Sequence, residues 1–495
     1  MYRYFFSILQ KCMLVLTIFW LGTALYFLFN LSWLAGLASL IFGFLAVRKR
    51  DWVKACWRYL MARKPWVMVA ALLFQLLVLF SANLLVRSDA AVVLNGALKI
   101  LPDLSISSYL SRNPNNLSLF LAERWLYHLF GEWTIWVLEA IGFICMNATA
   151  LILYRAGKDF LDQQLADMAF TFYMLMLGFS PYVIQTYTDV AGLPFLALQV
   201  YLILKALQSE TVSWKNMFGL GLAASLAFTF RPTAAISIIA FFMVLLLKGN
   251  WKKLMLSFSL FLISFGLFYG GKTIIEQEQR EVIIMQDEAL AKSWLTFINL
   301  GLTYTGTDQE DMKAGLLTYI DEDLHTVYNN GMFANKNEWA EIKRRLSEYT
   351  VWTFAQHLVV KLNNTLYDGT LNWIYRSPEL EKTTYISPLY PLTQNNVLAQ
   401  WVRETILEKD GENFKVYQLV KQICWILLVI GLVYSVTHYV PDERRQFVIL
   451  TVFGGILFLM IFEGGKARYL LQFLPQIVFM AAFGWSDLVK KEGRK

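Results

Sequence analysis

The sequence has four cysteines in 495 residues, at positions 12, 56, 145 and 424. All four fall in apolar runs or beside clustered basic residues, so no external disulfide framework can be built from them. It has four histidines as well, His128, His325, His357 and His438, scattered without ligand spacing; none pairs with a thiol in a zinc-binding pattern, and each reads as structural or solvated. No phosphate-cradling P-loop, no dinucleotide-binding glycine fingerprint and no G-x-S-x-G elbow occurs, which leaves nucleotide hydrolysis and serine-hydrolase chemistry without support. Charge is scarce, at 16% of residues.

What the chain has is apolar surface. It is 57% hydrophobic and 16% aromatic, with a mean hydropathy of +0.45. Runs such as Cys12 to Phe29, Trp33 to Val47, Trp66 to Leu85 and Leu254 to Tyr269 approach or reach the length at which a helix crosses roughly 30 Å of hydrocarbon. The chain is therefore expected to be an all-α polytopic membrane protein of about twelve transmembrane helices. The spans fall near residues 12–29, 32–47, 66–86, 133–154, 164–184, 189–207, 216–231, 232–248, 253–271, 416–440, 446–463 and 467–486. The first apolar stretch runs into a second without a small-residue cleavage site, so it reads as a retained anchor.

Basic residues orient these spans. Arg48, Lys49, Arg50, Lys54, Arg58, Arg63 and Lys64 crowd one connection, and Arg155, Lys158, Lys215, Lys248, Arg444, Arg445 and Lys490 fall on the same side. That asymmetry predicts both termini in the cytoplasm. The formal charge of +7 and the pI near 9.0 are then topogenic and need no nucleic acid. Two long segments, about 87–131 and 272–415, are expected on the extracytoplasmic side, which divides the chain into an N-terminal bundle (1–271), an external segment (272–415) and C-terminal spans (416–495). In the first loop, Leu117, Phe120, Leu121, Trp125, Leu126 and Leu129 recur at helical spacing among Glu123, Arg124 and His128, predicting an amphipathic helix in the interface. The second carries a charged run from Glu338 to Glu348 and turn signals at Asn329-Asn330-Gly331 and Asp368-Gly369.

Charged residues at the outer ends of the spans are the candidate site. Asp89 follows the third span; it suits either an N-terminal helix position, where a carboxylate favours the helix dipole, or a general base at the membrane face. Asp189 ends a short outer loop, and a carboxylate so close to hydrocarbon needs a polar cavity or a partner. Arg231, in Phe230-Arg231-Pro232-Thr233, either snorkels or binds phosphate. The last outer loop, Glu463-Gly464-Gly465-Lys466-Ala467-Arg468-Tyr469, places two cations beside glycines that let a ligand approach the backbone, and cations on this side run against the topogenic bias.

The acid after an early span, the interfacial helix, the many spans and the late Arg468-Tyr469 ahead of Pro475 resemble the GT-C glycosyltransferases. Arg112-Asn113-Pro114-Asn115-Asn116, Tyr187-Thr188-Asp189 and Arg231-Pro232-Thr233 look like the bacterial protein O-mannosyltransferase-like and aminoarabinose-transferase-like enzymes, in their Gram-positive branch. The stretches Asn299 to Asp311 and Lys361 to Trp373 are similar to that branch as well. The resemblance implies a GT-C-type fold in a bacterial cytoplasmic membrane and inverting transfer of a sugar from a polyprenyl-phosphate-linked donor. The acceptor would be a cell-envelope glycan, teichoic acid, lipid or protein. Asp89 would match the base; Asp189 would orient a sugar; Arg231, Lys466 and Arg468 would hold the lipid phosphate, with Tyr187, Arg112 and Glu463 also in the substrate site. Many relatives carry a second acid where this chain has Ala90, so no metal is indicated, and no other cofactor is required. A lipid-linked sugar flippase or transporter, or a polysaccharide polymerase, remains the alternative, with Gln75 and Glu139 as intramembrane polar residues that the transferase reading does not use.

Overall fold

The computed structural model of the chain describes residues 2–285, 287, 289–373, 375–381, 383–438 and 440–492. Helices dominate, because a backbone amide in hydrocarbon has no partner but its own helix. The N-terminal half runs α1 (Tyr2–Leu31), α2 (Trp33–Arg48), α3 (Arg50–Ala62), α4 (Lys64–Ser81), β1 (Leu84–Arg87), α5 (Ser88–Ala97), α6 (Asp103–Arg112), α7 (Leu117–Phe130), α8 (Thr134–Phe160), α9 (Gln163–Tyr173), α10 (Thr188–Gln208), α11 (Trp214–Phe230), α12 (Ala235–Lys248) and α13 (Trp251–Glu278). Short helices follow: α14 (Trp294–Gly301), α15 (Gln309–Leu317), α16 (Asn335–Glu348) and α17 (Val351–Leu366), then strand β2 (Thr384–Ile386), α18 (Tyr390–Thr393) and α19 (Val397–Val402). The chain closes with α20 (Phe414–Ser435), α21 (Glu443–Ile461) and α22 (Leu474–Glu492).

Among the described residues, eight helical runs are long and apolar enough to cross a membrane: α1, α4, the run Pro114–Phe160 that contains α8, α10, α13, α20, α21 and the run Ala467–Val489 that contains α22. The other expected spans are helical but shorter or broken. Helix α2 has 16 residues and α11 has 17. Helix α9 stops at Tyr173 and passes through a wide π turn, Met174–Gly178, into a 3-10 turn, Pro181–Ile184. A wide turn frees carbonyls from the helical ladder, and buried side chains take them. Lys421 Nζ donates to the Leu175 and Met176 carbonyls at 2.7 and 3.0 Å, and Gln75 Nε2 donates to Gly178 at 3.0 Å. Gln75 therefore has a structural task.

The third span was expected to reach residue 86, but its helix ends at Ser81. Asn83 Oδ1 accepts from the Leu84 amide at 2.8 Å, and β1 pairs antiparallel with β2, Val86 opposite Tyr385 and Arg87 opposite Thr384. The buried Leu84-Leu85-Val86 continues an apolar run, which helix and buried strand share. Helix α7 forms where expected, but its apolar residues divide between its faces, Leu117 and Phe120 being buried. Glu123 and Arg124 are buried, whereas Trp125, Leu129 and Phe130 are exposed. Arg124 is held inward by the Gly96 carbonyl at 2.8 Å and by Asp103 at 3.0 Å.

Helix α22 runs through the core, with Ile477 to Ala482 wholly buried. It crosses α20 at Gly431 and Gly484, so closely that a Cβ on Gly484 would lie 1.8 Å from the Gly431 carbonyl oxygen. Small residues at a helix crossing allow this approach in a membrane bundle. In the 279–413 segment, Leu366, Leu371, Trp373 and Leu407 join the main core, whereas Leu300, Met312, Leu316 and Phe333 form a smaller cluster of their own.

Candidate active site at the helix ends

Three chain segments far apart in sequence bring their charges together. Asp189 lies in the first turn of α10, where the helix dipole favours an anion. Arg231 follows the last residue of α11, and Arg468 sits in the 3-10 turn Ala467–Phe473 that leads into α22. Arg231 Nη2 donates to Asp189 Oδ1, while Arg468 Nε lies 3.6 Å from Oδ2, too long for a hydrogen bond. The Asp189 side chain is wholly buried; those of Arg231 and Arg468 keep 17% and 25% of their surface exposed. One carboxylate thus orients two guanidiniums, and the group carries a net positive charge. Arg468 Nε has no hydrogen-bond partner among the described residues, and a planar guanidinium fork matches a phosphate. Asp189 was expected to share the catalytic work. Its two carboxylate oxygens face arginines, Oδ1 toward Arg231 and Oδ2 toward Arg468.

Asp89 is built differently. It follows the end of β1, where Ser88 adopts a left-handed φ of +53°, and it is exposed. A non-glycine residue in that region is strained and is found where surrounding structure holds it. The strand pairing supplies that hold, since the Ser88 amide donates to the Thr383 carbonyl at 3.1 Å. The Tyr109 hydroxyl lies within electrostatic reach of Asp89. Asn116 Nδ2 donates to that hydroxyl at 2.9 Å, and Tyr187 Oη donates to Asn116 Oδ1 at 3.2 Å. The Arg231 guanidinium lies 5.7 Å from the centre of the Tyr187 ring, within reach of a cation–π contact. A chain of polar contacts therefore joins the exposed acid to the buried one through Tyr109, Asn116 and Tyr187. Burial pushes the Tyr187 phenol up to about 12, with Arg231 opposing, and burial and Asp89 raise the Tyr109 phenol; both stay protonated donors at neutral pH. Tyr109 and Asn116 were not among the sequence candidates. The signal was the Asn113 to Asn116 turn, whose Pro114 starts a 3-10 turn that presents Asn116 inward.

The loop carrying Lys466 is held from behind. Gly465 has φ +75°, and a Cβ there would lie 2.1 Å from the Thr305 carbonyl oxygen. Its amide donates to Thr365 Oγ1 at 2.9 Å. Lys361, fully buried on α17, donates to the carbonyls of Gly301, Met460 and Phe462 at 2.9, 2.9 and 2.7 Å, closing the end of α21. Replacing Lys361 by Met leaves three buried carbonyls unpartnered, each a loss of about 1–3 kcal/mol. Lys361→Met is expected to lower the unfolding temperature and to expose the 462–466 loop to protease. A variant as resistant as wild type would remove the clamp from the account.

The model of a family described as conserved hypothetical integral membrane protein matches residues 2–489. The chain belongs to that family. No curated protein matches it. Among solved structures, ArnT from Cupriavidus metallidurans bound to undecaprenyl phosphate is similar at 11% identity and a TM-score of 0.34, over 88% of this chain and 81% of that one. The same protein in the apo state gives 12% identity and a TM-score of 0.31 over 86% and 78%. A likeness of that size carries no argument about this chain's site.

In this integral membrane protein the remaining candidates divide. Lys466 is half-buried, within electrostatic reach of Glu463, Arg468 and Asp89, and burial draws its ammonium's pKa down. Glu463 accepts from the Tyr469 hydroxyl, which keeps it at the edge of the cluster. Arg112 places its guanidinium on the Tyr328 carbonyl and 4.1 Å from that ring's centre, which ties the first loop to the later segment. Lys292, which sequence reasoning passed over, lies within electrostatic reach of Asp89 and Glu463.

Proposed function

We propose that the protein is a glycosyltransferase that moves a sugar from a polyprenyl-phosphate donor to a cell-envelope acceptor on the extracytoplasmic face of a bacterial membrane. The observation that carries this reading is the Asp189 carboxylate holding Arg231 and Arg468 with guanidinium donors left over, a preformed phosphate cradle close to an exposed acid. In the proposed step the Asp89 carboxylate takes the acceptor hydroxyl proton as that oxygen bonds to the anomeric carbon. The bond from that carbon to the phosphate oxygen breaks on the opposite face, which inverts the centre. The departing lipid phosphate gains negative charge, and Arg468, Arg231 and Lys466 are placed to stabilise it without rearranging. The reaction needs no nucleotide, and no metal is invoked.

The test is transfer from radiolabelled polyprenyl-phosphate sugars by the purified protein, with envelope fractions as acceptors. Label on the acceptor supports the reading. Movement of labelled lipid across vesicles without transfer would replace it with a flippase. Arg468→Lys keeps the charge but loses the fork, and is expected to raise the donor KM more than it lowers kcat; an unchanged donor KM would take Arg468 out of the cradle. Sidedness is tested by reporter fusions. Fusions within 87–131 and 272–415 are expected outside and both termini inside, and a cytoplasmic report from either segment would overturn the outward-facing site.

A further inference from the structure

Two exposed tryptophans meet on the segment between α13 and α20. Trp294 opens α14 and Trp339 lies near the start of α16. Their ring centres are 5.9 Å apart with planes at 81°, and they keep 57% and 45% of their surface exposed. A buried acid beneath them fixes the pair. The Glu338 carboxylate accepts from Ser293 Oγ at 2.6 Å and from Thr296 Oγ1, and the Glu338 carbonyl accepts from Asn299 Nδ2 at 3.1 Å. A carboxylate is costly to bury unless it is hydrogen-bonded. Each tryptophan directly follows one of the bonded residues, Ser293 or Glu338, so the bonds that satisfy the acid also set the two rings in register.

The surroundings are those of a wet surface. Lys336 and Lys343, three and four residues from Trp339 and so on its side of the helix, are exposed, and Leu295 of α14 and Ile342 of α16 share a small core cluster apart from the membrane bundle. On α19, by contrast, the exposed Val397, Leu398 and Trp401 stand together on a helix packed against α4, as residues facing lipid do. The chain ahead of Trp294 is tied to the proposed site. The Lys292 amide donates to the carbonyl of Arg112 at 3.0 Å, and Arg112 ends α6, the helix that carries Tyr109. Lys292 lies within electrostatic reach of Asp89, and Trp294 follows two residues later, at most about 7 Å along the chain.

The face of a sugar ring is a patch of C–H bonds with slight positive charge and the face of an indole is negative, so the two attract while excluding water. We propose that Trp294 and Trp339 form a platform for the glycan chain of the acceptor, one sugar ring stacking there while a hydroxyl farther along the chain reaches Asp89. This names a glycan as the acceptor class. It rests on the sugar-transfer reading for what the glycan does at the site, but its binding can be measured without any transfer.

The test is equilibrium binding, with no donor present, of end-labelled envelope polysaccharide, freed of protein by protease and of lipid by extraction, to the full chain in micelles. Trp294→Ala/Trp339→Ala is expected to weaken binding roughly tenfold or more, Trp294→Phe/Trp339→Phe to restore most of it, and Trp401→Ala to leave it unchanged. All three variants change exposed positions, which ask little of folding. No binding by wild type, equal binding by wild type and the alanine pair, or an equal loss in Trp401→Ala would each overturn the platform. In the transfer assay the alanine pair is expected to raise the acceptor KM by a similar factor with the donor KM unchanged. Binding that depends on the two rings without any transfer would keep the platform and remove the transferase reading; transfer with an unaltered acceptor KM would keep the transferase and remove the platform.

Discussion

Asp89→Asn is expected to abolish sugar transfer while leaving the protein folded. The change keeps the side chain's shape and removes the carboxylate proposed to take the proton; loss of a positioned general base lowers turnover by roughly a hundred- to ten-thousandfold. Because Asp89 is exposed, its substitution is expected to change stability by only about ±0.5 kcal/mol. Turnover within a few-fold of wild type would exclude Asp89 as the base. Asn116→Leu provides an internal check, since it breaks both links of the chain between Tyr109 and Tyr187 without touching either acid. It is expected to lower kcat by a smaller factor and leave the donor KM nearly unchanged; a variant that altered only the KM would assign Asn116 to donor binding.

The largest effect on stability is expected at Asp189. Removing one partner of a buried ion pair leaves the other charge uncompensated, at about 3–5 kcal/mol, and here two guanidiniums depend on one carboxylate. Asp189→Ala is therefore expected to lower the unfolding temperature markedly in micelles. Adding Arg231→Met removes one of the stranded cations and is expected to recover part of the loss, while the proposed transfer is expected to stay absent. If Asp189→Ala unfolds at the wild-type temperature, the carboxylate is not the organiser of the cluster. If the double variant is less stable than the single one, Arg231 contributes chiefly through packing.

These two acids mark the boundary of what composition and pattern can reveal. Asp189, Arg231 and Arg468 could be picked out because a charge at the end of an apolar run is costly unless something answers it, and in the folded chain they answer one another. Tyr109 and Asn116 send no such signal, being uncharged polar residues in a loop whose value comes only from what lies opposite them. Apolar runs located the helices, but length and hydropathy do not separate a helix end from a buried strand, so Leu84-Leu85-Val86 read as part of the third span until its partner at Thr384–Ile386 was known. Periodicity likewise found α7 without telling which face is covered. The usual rule assumes water outside, and with lipid outside Trp125 and Leu129 face outward while Glu123 and Arg124 turn in.

The pairing of β1 with β2 also has a consequence for biosynthesis. Asp89 leaves the ribosome early, yet the strand that braces its corner is made only after most of the chain, and Arg468 later still. A nascent chain therefore carries the acid through insertion with no brace behind it and the arginine cluster still incomplete. Asp189, Arg231 and Arg468 can meet only when the run that carries Arg468 is in place, so the cluster forms late in assembly.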